Sequence, residues 1–235
     1  MVFIQNSNYL QFLAELGVGG AHPGGINLSK ALFEHENIQR GLDILDVGCG
    51  TGQTAAYLAS YYQANVTGID IHPLMIEKAR QRMQKAHLAV NLIEGSIEQT
   101  PIEKESFDFI LAESVLAFVN QQRALQEIYR LLKKGGRFIA IEFTLSATLP
   151  SQLAQDIQQF YGFESLLTKK DWVTLLQQAR FHNIRIQKNK SISSQHEFHF
   201  SQHIEPELLD VMDQHITMNE KYGKYLNYRI YSCTK

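Results

Sequence analysis

The chain has 235 residues, enough to bury a sizeable core as one domain with an elaborated end. Its 22 Lys and Arg against 24 Asp and Glu give a formal net charge of -2, so no global basic field marks it as a bulk nucleic-acid binder. Two cysteines argue against a disulfide framework and fit reduced thiols in a cytoplasmic protein. No apolar run reaches the roughly 18 residues of a membrane span, and Met1 to Asn6 lacks the basic and apolar regions of a secretory leader.

Ser7 reads as the N-cap of a helix over 7–16, with Leu10, Leu13 and Leu16 on one face. Gly17-Val18-Gly19-Gly20-Ala21-His22-Pro23-Gly24-Gly25 is too rich in glycine for regular structure. Asn27 is placed to cap a second helix carrying Leu28, Ala31 and Leu32. Ile44 to Val47, flanked by Asp43 and interrupted only by Asp46, reads as a buried strand. A tight turn with glycines at 48, 50 and 52 follows, then a helical pattern with Ala55, Leu58 and Tyr62. Strand, glycine turn and helix in that order build a nucleotide-type site, because glycine lets backbone approach a ligand and a helix start offers unpaired N–H groups. The spacing is G-x-G-x-G; Gln53 occupies the place where the dinucleotide fingerprint needs its third glycine, which disfavours an NAD-type oxidoreductase.

The second strand, 64–69, ends at Asp70, about 20 residues past the glycines, where nucleotide-binding α/β folds hold a carboxylate for ribose hydroxyls. Pro73 opens a helix with Ile76, Ala79 and Met83 inward; Lys78, Arg80, Arg82 and Lys85 read as its solvated face. A third strand, 89–94, leads to Ser96 and Ile97, and a fourth, Phe107 to Leu111, continues toward Glu113 and Phe118. Asn120 caps a helix with Ala124, Ile128, Leu131 and Leu132 inward; Lys133 and Lys134 fall in its last turn, and Gly135-Gly136 ends it. Arg137 to Phe143 is the fifth strand. Five strands alternating with helices imply a parallel sheet covered on both faces.

Beyond residue 145 a helix spans 151–161, a capping box Thr168 to Asp171 starts another, and a strand covers 183–188. An insertion of about residues 190–226 carries His196, Glu197, His199, His203 and Glu205, then a helix opened by Pro206. The histidine spacing offers metal-ligand types, yet 195–200 also alternates as a half-buried strand does, and we assign no metal there. Tyr161, Phe163, Trp172 and Tyr222 read as core or as walls of an acceptor pocket. Tyr228 to Cys233 alternates as a final strand.

Asp46-Val47-Gly48-Cys49-Gly50-Thr51-Gly52 resembles the first motif of the class I S-adenosylmethionine (SAM) dependent methyltransferases, and Leu131 to Phe138 resembles their post-core motif. Pro101-Ile102 keeps part of a third motif, but Ser96 stands where the family has an aspartate for the adenine amino group. The resemblance covers roughly residues 40–145 well. It implies an α/β fold: a doubly wound, mostly parallel seven-stranded sheet with the final strand antiparallel. That fold would form one domain, with a helical lid over 1–40, a core over 41–145 and substrate-side elements over 146–235, including an insertion before the last strand. SAM is the implied cofactor. Asp46, Gly48, Cys49, Gly50 and Gly52 would border its methionine portion, Asp70 and Ile71 its ribose, and Ser96 and Ile97 its adenine; Glu113 would meet the methionine amine or the substrate.

The implied activity is methyl transfer, read here as acting on a small-molecule acceptor, with no membrane or nucleic-acid partner. In-line positioning of an activated methyl can supply much of the acceleration. An acceptor that needs a base would find His22 first, with Tyr9 and Glu113 behind it; His22 serves equally as a loop histidine holding the lid. The Asn/Asp-Pro-Pro-Tyr signature of amino-group methylases is absent, as is the cysteine signature of 5-methylcytosine enzymes. A protein or RNA acceptor, and a SAM-binding regulatory module without turnover, remain as alternatives.

Overall fold

The computed structural model describes residues 8–147, 149–188 and 197–235. Its strands are β1 Asp43–Val47, β2 Asn65–Asp70, β3 Asn91–Glu94, β4 Phe107–Glu113, β5 Leu132–Leu145, β6 His182–Lys188 and β7 Leu226–Thr234. They form one sheet in the order β3-β2-β1-β4-β5-β7-β6. The first five strands run parallel to one another, and β7 is antiparallel to both β5 and β6. The helices are α1 Asn8–Leu16, α2 Gly25–Phe33, α3 Gln53–Tyr61, α4 Pro73–Ala86, α5 Gln121–Leu131, α6 Ser151–Tyr161, α7 Lys169–Gln178 and α8 Pro206–Tyr222.

The central strands are apolar on both faces because both faces are covered. Leu45, Val47, Ile110, Phe138 and Ala140 pack beneath α5 and α7, while Ile44, Phe109, Leu111, Ile139 and Ile141 pack beneath α2 and α3. The chain leaves β1 toward β2 and β3, then returns to place β4 on the other side of β1. That reversal opens a crevice at the carboxyl ends of β1 and β4, where open α/β sheets hold their ligands.

Most local expectations hold. Asn120 caps α5 by accepting from the Arg123 N–H at 3.0 Å, Pro73 and Pro206 open α4 and α8, and Thr168 with Asp171 forms the capping box of α7. Others are corrected. Ser7 lies outside the described residues; α1 buries Phe12, Ala14 and Leu16, leaving Leu10 and Leu13 half-buried toward the crevice. Asn27 is not a cap: α2 already starts at Gly25, and Gly24, in the left-handed region at φ 84°, fills the N-cap place. Helix α5 ends at Leu131, because Leu132 is extended (φ -69°, ψ 139°). Lys133 therefore leaves the helix dipole and instead donates to Asp43 and Asp108, both at 2.8 Å.

The basic face of α4 is only partly solvated. Lys78 is buried, and its ammonium donates to the carbonyls of Ala14, Glu15 and His199 at 2.7, 2.8 and 2.7 Å. Arg82 donates to the Thr51 carbonyl at 2.8 Å and pairs with Glu197 at 3.0 Å. Residues about 120 positions apart meet on these two side chains, which α-helical periodicity cannot foresee. The strand expected over 195–200 is reduced, within the described residues, to a bridge between Gly19 and Glu197. His196 lies outside them. His199 contacts Arg82 and Glu197, His203 is exposed, and among the described residues no group of three or more metal-ligating side chains stands together. Trp172 is core: its indole N–H donates to the Phe143 carbonyl at 3.0 Å. No helix among the described residues is long and apolar enough to cross a membrane.

Candidate active site

A cavity of about 1370 Å³ fills the crevice, floored by the ends of β1, β2 and β4 and roofed by α1 and the loop through His22. Asp46, Gly48, Cys49, Gly50, Asp70, Ile71, Ser96, Ile97 and Glu113 line it, together with His22 and Tyr9. Gly52, expected among them, does not. It turns the chain into α3 at φ 74°, and a Cβ there would stand 2.8 Å from the Met83 methyl and 3.1 Å from Ala79, so its smallness serves the packing of α3 on α4.

The floor is built from backbone. Gly48 and Cys49 both donate N–H groups to the Ile69 carbonyl, at 2.7 and 3.0 Å, tying the turn to β2. Gly50 (φ 52°) faces open space: a Cβ on it would meet nothing nearer than the Met75 sulfur at 4.0 Å. At the end of β2, Asp70 accepts from the N–H of Gly50 and of His72, each at 2.8 Å. A carboxylate has about four acceptor positions, so a vicinal diol could still be received. Burial pushes the Asp70 carboxyl above its ordinary range, partly offset by those backbone donors.

Asp46 is 2% exposed, and its Oδ2 has no hydrogen-bond partner among the described residues. Desolvation, and then the charges of Glu113 and Asp70, hold its carboxyl well above the ordinary value. Three carboxyl groups around one end of a cavity form a place that a cation relieves. Ser96 Oγ accepts from the Glu98 N–H at 3.2 Å and so shapes its own turn, while Ile97 is buried against the core. The Cys49 thiol is pushed up by burial, which leaves it an inert wall.

Around Glu113 lies a network that joins three elements. Thr54, in the first turn of α3, donates to Glu113 Oε2 at 2.7 Å, and Ser29, in α2, donates to Glu113 Oε1. His22 Nε2 stands 3.5 Å from Glu113 Oε1 and 3.3 Å from Ser29 Oγ. His22 is 4% exposed, and its Nδ1 has no partner among the described residues. Thr54 and Ser29 carry no local sequence signal: Ser29 looks like any small residue on a helix face, and Thr54 hides behind the glycines.

A second part of the lining is apolar and aromatic. Tyr9, Phe118 and Phe143 line it, backed by Tyr161 edge-on to Tyr9 at 4.9 Å and by Phe163 at 5.0 Å from Phe118 and 5.4 Å from Phe143. Of the four aromatics singled out from sequence, Tyr161 and Phe163 thus stand behind this wall, and Tyr222 belongs to the same buried cluster. Burial pushes the Tyr9 phenol far above its ordinary range. It can donate a hydrogen bond but cannot serve as a base near neutral pH, which removes it from that expected role.

A family model described as a methyltransferase domain matches residues 45–140. The chain is 36% identical over 233 residues to the uncharacterized methyltransferase YodH of Bacillus subtilis, covering 97% of this chain and 100% of that protein. It is 32% identical over 160 residues to the 2-methyl-6-phytyl-1,4-hydroquinone methyltransferase 1 of Oryza sativa, covering 67% of this chain and 46% of that protein. Among solved structures, Haemonchus contortus phosphoethanolamine N-methyltransferase 2, in complex with SAM, superposes with a TM-score of 0.79 at 18% identity. That match spans 97% of this chain and 56% of the other, a likeness of fold.

Proposed function

The chain belongs to the class I SAM-dependent methyltransferases, and from that premise we propose that it moves the methyl group of SAM to a small-molecule acceptor held beneath α1. The observation that carries this reading is a large cavity lined by two clusters of different chemistry. It exceeds the roughly 300–1,000 Å³ of an ordinary ligand pocket, and its lining carries one acidic cluster and one aromatic cluster. The residues fit SAM. The open space at Gly50 admits a chain close to backbone, and the unpartnered Asp46 Oδ2 suits a ligand with positive charge. In this reading Asp46, Gly48, Cys49 and Gly50 hold the methionine portion, Asp70 and Ile71 the ribose, and Ser96 with Ile97 the adenine.

When bound, SAM supplies a methyl group already activated on a sulfonium. The chain's own part is to orient the acceptor and exclude water, for which Tyr9, Phe118 and Phe143 provide the walls. His22 takes the acceptor's proton through Nδ1 when the acceptor carries one, and Glu113 acts through His22. Both cysteines are buried and free, in keeping with a reducing, cytoplasmic setting.

Asp70→Ala tests the cofactor assignment. We expect SAM affinity in a calorimetric titration to fall by about tenfold or more, which corresponds to about 1.4 kcal/mol, while the cooperative unfolding transition persists. Unchanged affinity sinks the ribose assignment. Release of S-adenosylhomocysteine (SAH) from SAM, read over a panel of hydroxylated and amino small molecules, tests the transfer itself.

A further inference from the structure

The hydrogens around Glu113 can be placed by elimination, and their placement gives Ser29 and Thr54 a task. Resting on the assignment of His22 as the base, we infer that Ser29 and Thr54 are positioning residues that hold Glu113 ionised and so leave His22 Nδ1 as the basic nitrogen. Ser29 gives its hydroxyl hydrogen to Glu113 Oε1, and Thr54 gives its own to Oε2 at 2.7 Å. Each hydrogen is then committed. Two hydroxyl donors favour the charged form of the carboxyl they meet.

The consequence falls on the imidazole. His22 Nε2 faces Glu113 Oε1 at 3.5 Å and Ser29 Oγ at 3.3 Å. One is a carboxylate oxygen; the other is a hydroxyl oxygen whose hydrogen points away. Both can only accept from this side, so the ring proton resides on Nε2. A neutral imidazole carries one proton, and Nδ1 therefore keeps its lone pair. Nδ1 is buried without a partner among the described residues, on a residue that lines the cavity. A nitrogen with a lone pair in that place is idle unless a ligand's hydrogen meets it.

This fixes a class of acceptor: one whose nucleophilic atom bears a proton that must leave, such as a hydroxyl. The proton passes from the acceptor's O–H to Nδ1, the acceptor oxygen forms the new bond to the methyl carbon, and the carbon–sulfur bond breaks with its electron pair left on sulfur. His22 ends protonated on both nitrogens, with Glu113 balancing the charge.

Nitrogen-correlated proton spectra of ¹⁵N-histidine-labelled protein, with and without SAH, test the assignment without knowing the acceptor. Wild type and Thr54→Ser should carry the His22 proton on Nε2. Ser29→Ala and Thr54→Val should populate the Nδ1–H form, because a carboxyl that has lost a hydroxyl donor takes up a proton more readily and, once protonated, donates to Nε2. A wild-type ring protonated on Nδ1, or a tautomer unmoved in both deletion variants, overturns the inference. The wild-type spectrum decides even where a variant fails to fold. SAH affinity measured on the same samples separates the two levels: loss of SAH binding by wild type would refute the cofactor reading while leaving the tautomer result intact.

Discussion

Glu142 is a residue whose chemistry reaches beyond its own position. It is fully buried in β5, and its Oε1 accepts from the N–H groups of Val115 and Leu116 at 3.1 and 3.0 Å, fixing the turn that carries Val115 and Phe118 into the cavity. Burial pushes its carboxyl from 4.5 up to about 8. A carboxyl raised on folding binds its proton more tightly in the native state. That stability is fully present below the unfolded value of 4.5 and is lost as pH rises through about 8. Wild-type melting temperature should therefore decline from about pH 5 to about pH 9, and Glu142→Gln, which keeps the acceptor oxygen and cannot titrate, should flatten that decline. Equal slopes in scanning calorimetry would show that Glu142 does not titrate in this range. At this scale the sequence was readable where chemistry is local, as with Asp46 and Asp70 beside glycines. It was silent on Ser29, Thr54 and Glu142 and pointed Lys78 to solvent, because their partners lie far away in the chain.

Elements were legible in type and less so at their ends. Every strand and helix read from residues 40–188 exists, because apolar runs and amphipathic stripes report burial directly. The end of α5 was misread because Lys-Lys-Gly-Gly suits a helix terminus, whereas Leu132 already pairs with Phe107 across the sheet. The end of α7 carries a testable oddity. Arg180 sits at φ 71°, exposed, in the left-handed region that glycine enters without a side-chain clash. A left-handed conformation costs a side-chain-bearing residue about 1–2 kcal/mol, and glycine's extra freedom in the unfolded chain returns roughly 0.5–1 of that. Arg180→Gly should thus raise stability by up to about 1.5 kcal/mol in urea unfolding. A clear loss would mean that the arginine makes a contribution its exposure conceals.

For the whole molecule, the sheet reversal at β1 and β4 sets where a ligand goes, and the amino-terminal segment sets how closed that place is. Lys78 and Arg82 fasten α1, the glycine turn and the 197–201 segment together, so the roof is tied to the floor by polar bonds rather than by apolar packing alone. The sequence predicted a lid but not its fastening, since the three segments meet only in the fold. Whether this roofed crevice holds SAM is read from thermal unfolding with SAM, SAH and NAD in separate samples. A ligand at about one hundred times its Kd stabilises the native state by about 2.7 kcal/mol, which in a chain of this size raises the midpoint by roughly 5–11 °C. The midpoint should rise with SAM and SAH and not with NAD; a rise with NAD alone, or no rise with any of the three, would mean that the crevice is not a SAM site.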